Sequence, residues 1–125
     1  MNSAKRLGHT GEKLVQDYLI RRGFEIVTTN YHAQGGEIDI IAKQGTDLRF
    51  VEVKSRKKKV SHMGEAVEAV HSLKHKRLEK AMYAFLETYT EQLENYSLDV
   101  AVVEIHTTKA RIIYYPNALE ALNEA

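Results

Sequence analysis

The apolar positions of this 125-residue chain change period several times, and those changes divide it into elements. Between residues 4 and 22, Leu7, Gly11, Leu14, Val15 and Tyr18 recur at helical spacing, and Gly23 after Arg21-Arg22 supplies a C-terminal stop. Lys5, His9 and Glu12 share a polar flank beside that stripe. Phe24 to Tyr31 is rich in β-branched and aromatic residues and reads as a strand. Gln34-Gly35-Gly36 is turn chemistry. Glu37-Ile38-Asp39-Ile40-Ile41-Ala42 starts by alternating and ends continuously apolar, as a mostly buried strand does. Gly45 marks a hairpin loop over 43–47. Leu48 to Lys54 then alternates strictly, with Leu48 and Phe50 on one face and Glu52 and Lys54 continuing its parity.

Polar and basic residues with Gly64 make 55–64 a loop. The spacing predicts a helix over 65–89 with a break near His71-Ser72, where Ser72 caps the second part. Leu78, Ala81, Met82, Phe85 and Tyr89 form its buried stripe, and Lys74 falls at the N-terminal end of the same stripe. Strands follow at 97–105 and 111–115, then Pro116 and a short helical tail. The predicted order is α-β-β-β-α-β-β in a single domain spanning residues 1–125, of the α/β (α+β) class, with an antiparallel pair bringing two acid-bearing strands side by side.

Composition narrows the chemistry. Apolar residues make up 43% and charged residues 28%, the balance of a globular protein. With no cysteine, disulfides and thiolate metal sites are excluded. Residues 1–6 have no apolar core behind them, and no apolar run approaches the roughly 20 residues that span a bilayer. A cytoplasmic location is the expectation. Net charge is only +1, yet Arg56-Lys57-Lys58-Lys59 is a basic run and Lys74, Lys76, Arg77 and Lys80 form a second basic cluster. A protein with an acidic metal site and a basic binding face sums to about zero in this way.

The pattern that carries chemistry is Asp39 on one strand and Glu52-x-Lys54 on the next. Residues two apart on a strand share a face, so Glu52 and Lys54 project together. If Asp39 lies opposite them, two carboxylates and an ammonium converge. Phosphodiester hydrolysis uses such a set: hard oxygens hold Mg²⁺, which neutralises phosphate and acidifies bound water. A lysine alongside orients that water and stabilises developing charge.

Glu12, Gly36-Glu37-Ile38-Asp39 and Val51-Glu52-Val53-Lys54, in that order on helix, strand and strand, resemble the PD-(D/E)xK nuclease superfamily. Within it the chain is similar to the YraN family, whose members are similar to archaeal Holliday-junction resolvases; the resemblance covers residues 8–113. It implies a restriction-endonuclease-like core with a mixed sheet flanked by helices, a helix acid at Glu12, and metal ligands at Asp39, Glu52 and the Val53 carbonyl. It further implies Lys54 as the catalytic lysine, Lys74 as a lysine opening the helix after the core, and Asp99 as an acid of the following strand. Three positions depart from the pattern: Glu37-Ile38 stands in place of the proline element, His75 where a glutamine is expected, and Ser97 where an arginine is expected.

Each motif also has a plain structural explanation. Glu52-x-Lys54 describes a cross-strand ion-pair ladder equally well, and Glu12 an ordinary solvated helix acid. Glu37 shares the parity of Asp39 and is a further candidate for the metal site. Lys74 is a phosphate contact or a lysine snorkelling along apolar surface. Arg56, Lys57, Lys58, Lys74 and Lys76 are the candidate nucleic-acid contacts. The histidines show no zinc-ligand spacing, so Mg²⁺, with Mn²⁺ as substitute, is the expected cofactor and zinc is not. The leading expectation is a metal-dependent endonuclease acting on DNA, including branched DNA, as a homodimer. The alternatives are a catalytically silent nucleic-acid-binding module on the same fold, and an RNA-directed factor stacking bases on Tyr114-Tyr115, residues that packing on an edge strand explains equally.

Overall fold

A computed structural model describes residues 3–57 and 73–118, with side chains described for 6–57 and 76–118. The first element, α1 (Ser3–Arg21), ends where the sequence predicts. Gly23 takes φ 91°, Phe24 N–H donates to the Leu19 carbonyl at 3.0 Å, and Gly23 N–H donates to Ile20 at 3.0 Å. That pair of bonds is a Schellman cap. Leu19 and Phe24 on either side of it pack into the same apolar cluster.

Five strands form one sheet in the order β1-β2-β3-β4-β5: β1 (Glu25–Ala33), β2 (Gly36–Gln44), β3 (Asp47–Arg56), β4 (Asn95–Ile105) and β5 (Ala110–Tyr115). All neighbours are antiparallel except β3 and β4, which are parallel. Tight turns set the first two registers. Gln34 and Gly35 both have positive φ, 55° and 79°, as a two-residue type I′ hairpin requires. Gly45 at φ 61° opens the two-residue turn between Gln44 and Asp47. The α-β-β-β-α-β-β order is as predicted, with the second helix, α2 (Leu73–Thr88), in the β3-to-β4 connection. The predicted helical residues 65–72, the Ser72 cap, most of the 55–64 loop and the tail beyond residue 118 lie outside the described residues.

The two helices of the described residues cover opposite faces. Against α1 lie Ile40, Ala42, Val51, Val53, Ala101 and Val103, met by Val15 and Leu19. Against α2 lie Ile38, Ile41, Leu48, Phe50, Leu98, Val100 and Val102, met by Leu78, Ala81 and Met82. Phe85 and Tyr89 complete the predicted α2 stripe from its edge. A two-sided burden of this kind explains the continuously apolar runs in β2 and β4, since strands covered on both faces cannot alternate with polar residues.

One boundary differs from expectation. Ser55 and Arg56 belong to β3 and not to the loop, because the parallel ladder with β4 continues through Arg56↔Glu104. Inter-strand hydrogen bonds there outweigh the local preference of two polar residues for a loop.

Candidate functional site

The β2/β3 ladder runs from Gln44↔Asp47 to Ile40↔Val51 and stops one step short of Asp39, whose register partner would be Glu52. The strands part there. Ile38 packs on the α2 face and Ile40 on the α1 face although they are two residues apart, so β2 rotates about Asp39. A backbone group that loses its ladder partner needs another. Val53 N–H finds it in the Asp39 carboxylate, donating to Oδ2 at 2.8 Å. This bond fixes the half-buried Asp39 at the opening of the fork and ties it to the strand carrying Glu52 and Lys54.

Glu52 is 4% exposed and Lys54 half-buried, both at the parity opposite to Val53, which packs toward α1. On the α1 face the helix crosses β3 very closely. A Cβ on Gly11 would stand 1.9 Å from Ser55 Oγ and 3.6 Å from Val53 Cγ1, so with Ser55 in place glycine permits this approach. The approach delivers the next residue, Glu12, to the fork. Burial raises the Glu12 carboxyl above its ordinary value, and the charges of Asp39 and Glu37 push it the same way; nearby His9 opposes them. Like-charged carboxylates gathered at a half-buried position are an arrangement found at sites that bind cations or handle protons. Among the described residues, no three His, Asp or Glu side chains form a preformed metal cage.

The structure thus brings together Glu12, Asp39 and the Val53 backbone, with Glu37 and His9 in electrostatic reach. Glu52 and Lys54 sit at the same fork by register. The basic candidates are more dispersed. Arg56 is half-buried, donates to the Ser55 carbonyl at 3.1 Å and lies beside Glu104 in the ladder. Lys57 and Lys76 are exposed, Lys74 opens α2 with its side chain outside the described part, and Lys58 lies outside the described residues. Position on α2 is secured by the β1–β2 hairpin: Arg77 Nε donates to the Gly35 carbonyl at 3.1 Å. A Cβ on Gly36 would meet the Arg77 carbonyl oxygen at 1.9 Å, which explains glycine at the head of Gly36-Glu37-Ile38-Asp39.

Asp99 behaves differently. It is fully buried, Ser97 Oγ donates to it at 2.8 Å, Asn117 N–H donates at 2.9 Å, and the Tyr114 hydroxyl donates to its other oxygen. Burial and the Asp99 charge drive the Tyr114 phenol far above its usual value, so it stays a donor. Arg49 stands opposite Ser97 in the ladder, donates to Ser97 Oγ at 3.0 Å and lies 3.6 Å from Asp99. The guanidinium expected at position 97 is therefore supplied from the neighbouring strand, a substitution visible only once the register is known.

Sequence reasoning missed Glu104, 2% exposed, with His106 Nε2 at 3.3 Å and Arg111 at 3.6 Å. The available signal was an acid interrupting the apolar run from Val100 to Ile105.

No described helix is long and apolar enough to cross a membrane. The model of the uncharacterised protein family UPF0102 matches residues 11–112, which include every acid of the fork. The chain is 37% identical over 114 residues to a UPF0102 protein of Alkaliphilus metalliredigens, covering 91% of this chain and 96% of that one. A UPF0102 protein of Geobacter metallireducens is 35% identical over 116 residues, 93% of each chain, and one of Caldicellulosiruptor bescii is 40% identical over 101 residues, 81% of this chain and 82% of its own. With its motifs, its fold and near-full-length relatives agreeing, the chain belongs to UPF0102, the YraN family.

Proposed function

We propose that this protein is a Mg²⁺-dependent nuclease that hydrolyses phosphodiester bonds of DNA at the β2/β3 fork. The observation that carries the reading is the parting of the ladder at Asp39, with Glu12 brought against it by the Gly11 crossing. A solvated surface acid needs neither a broken ladder nor so close a helix approach. The donors are hard oxygens, and Mg²⁺ is ordinarily held by one or two carboxylates together with waters and substrate phosphate, without a full protein cage. Asp39, Glu52 and the Val53 carbonyl would hold it. Bound there, it would neutralise phosphate charge and acidify water.

The chain's own residues do the rest. Glu12 adds negative charge beside Asp39 and receives a proton more readily than an ordinary carboxylate. Lys54 orients the attacking water and stabilises the charged transition state. Arg56, Lys57, Lys58, Lys74 and Lys76 track the phosphate backbone. Symmetric cutting of a branched substrate takes two copies related by a two-fold axis, so the acting form is a homodimer in the cytoplasm.

The test incubates purified protein with labelled duplex, single-stranded and four-way-junction DNA in Mg²⁺ or Mn²⁺, beside Asp39→Asn and Lys54→Ala. Cleavage by the parent protein and a loss of about a thousandfold in each variant is the expected result. Binding without cleavage in either metal would reassign the chain to a silent nucleic-acid-binding module.

A further inference from the structure

Helix α1 has two flanks beside its buried stripe, and only one faces the fork. His9 and Glu12 lie on the flank toward Asp39. On the other flank Arg6, Leu7 and Thr10 form one wall of a cleft of about 230 Å³, completed by Lys57 at the end of β3 and Ile105 at the end of β4. The placement follows from register. Val53 and Val103 pack under α1, and Ser55, Lys57 and Ile105 continue their parity toward the ends of the two parallel strands. The cleft therefore opens where α1 leaves the sheet, beyond the close Gly11 crossing.

Its chemistry is mixed in a specific way. Two cationic residues of different character, a planar guanidinium and a compact ammonium, share the lining with two aliphatic side chains. Arg6 lies at the positive end of the α1 dipole, and the first turn of α1 contains no acid to cancel it. Thr10 Oγ1 donates to the Arg6 carbonyl at 2.9 Å, tying the turn that carries the arginine. A free inorganic anion would gain nothing from Leu7 and Ile105. A cofactor or drug-sized ligand needs a pocket of about 300 Å³ or more. A sugar-phosphate unit has the matching charge, apolar surface and size.

We propose that this cleft is a second nucleic-acid subsite, in which Arg6 and Lys57 clamp one backbone phosphate while Leu7 and Ile105 pack against its sugar. The inference rests on the nucleic-acid reading of the fork and extends it to Arg6, Leu7 and Ile105, which the sequence motifs do not touch. Lys57 follows the last residue of β3, at the parity of Val53 and opposite to that of Lys54. The subsite thus grips the backbone on the α1 side of the sheet end, apart from the fork.

The experiment is a titration of methyl-labelled full-length protein in EDTA with a 5′-phosphorylated thymidine dinucleotide, and separately with inorganic phosphate. The Leu7 and Ile105 methyl signals should move with the dinucleotide, saturating at concentrations about tenfold lower than any effect of phosphate. Arg6→Ala/Lys57→Ala should raise the midpoint about tenfold with the remaining spectrum unchanged. Unmoved Leu7 and Ile105 methyls in the parent protein overturn the subsite, and so does an equal response to phosphate alone. Because no metal is present, the outcome is independent of cleavage. A moving cleft without nuclease activity leaves the subsite standing and removes the nuclease, while cleavage with a silent cleft does the reverse.

Discussion

Asp39 and Asp99 are both aspartates on inner strands of one sheet, and they have opposite fates. Asp99 is fully buried and surrounded by donors: Ser97, Tyr114 and the Asn117 backbone, with Arg49 close by. Asp39 is half-buried, accepts from Val53 N–H, and otherwise faces the charge of another acid, Glu12. The first arrangement satisfies a buried charge and locks β3, β4, β5 and the following turn together. The second sets one acid beside another at an opening in the ladder. A carboxylate whose needs are met inside the protein is a girder, whereas one held beside like charge is ready for something from outside.

The sharpest way to break this comparison is to make one substitution at both acids. Asp99→Asn sets an amide NH₂ among donors and strips Arg49 of a nearby charge, so denaturant titration should show a loss of about 3 kcal/mol or more. Asp39→Asn keeps an oxygen for Val53 N–H, and its stability should stay within about 1 kcal/mol of the parent while cleavage disappears. Equal stability losses at both positions would erase the distinction between girder and site.

Removing a single donor probes the girder more gently. Tyr114→Phe keeps the ring that stacks on Tyr18 at 5.7 Å and deletes the hydroxyl bonded to Asp99. Thermal or chemical unfolding should register about 1–3 kcal/mol, the cost of leaving a buried acceptor short. At the fork, Gly11→Ala forces a Cβ against Ser55 Oγ, the end of a side chain that Ser55→Ala would remove. Gly11→Ala should therefore cost about 1–3 kcal/mol, with roughly half restored in the double variant. If the double variant restores nothing, the helix is held off by backbone and not by Ser55.

The smallest effect concerns Glu12 and pH. Its folded carboxyl ionises at higher pH than in the unfolded chain, so the unfolded chain binds fewer protons across that window. Stability falls as pH rises from the ordinary carboxylate value through the raised one, and the whole penalty is present above the raised value. Glu12→Gln should remove it. The expected gain is under about 1 kcal/mol because the group is only half-buried, and it should vanish when unfolding is followed at pH 3, where both forms are protonated. A variant less stable than the parent at neutral pH would show that Glu12 is a supporting residue and not a strained one.

Much of this molecule is written in local pattern. The α1 stripe and its Gly23 stop, the two tight turns, the alternation in β3 and the α2 stripe depend on neighbours within a few residues, where propensity and periodicity act. Asp39 and Glu52-x-Lys54 were legible for the same reason, since strand parity and one hairpin nearly fix their register. The end of β3 was not, because Arg56 is held by pairing to Glu104, 48 residues away. The parallel β3/β4 pairing also decides that Arg49 meets Ser97 and Asp99, and it brings Lys57 and Ile105 to the lining of one cleft with Arg6. Nor does parity reveal the turn of β2 about Asp39, which arises where two strands part and a side chain takes over a backbone bond. By itself, then, the sequence determined the elements and their order, and it placed acids and a lysine on neighbouring strands. Tertiary structure alone decided which acid is satisfied and which is left exposed to demand, because that depends on partners brought together across the chain.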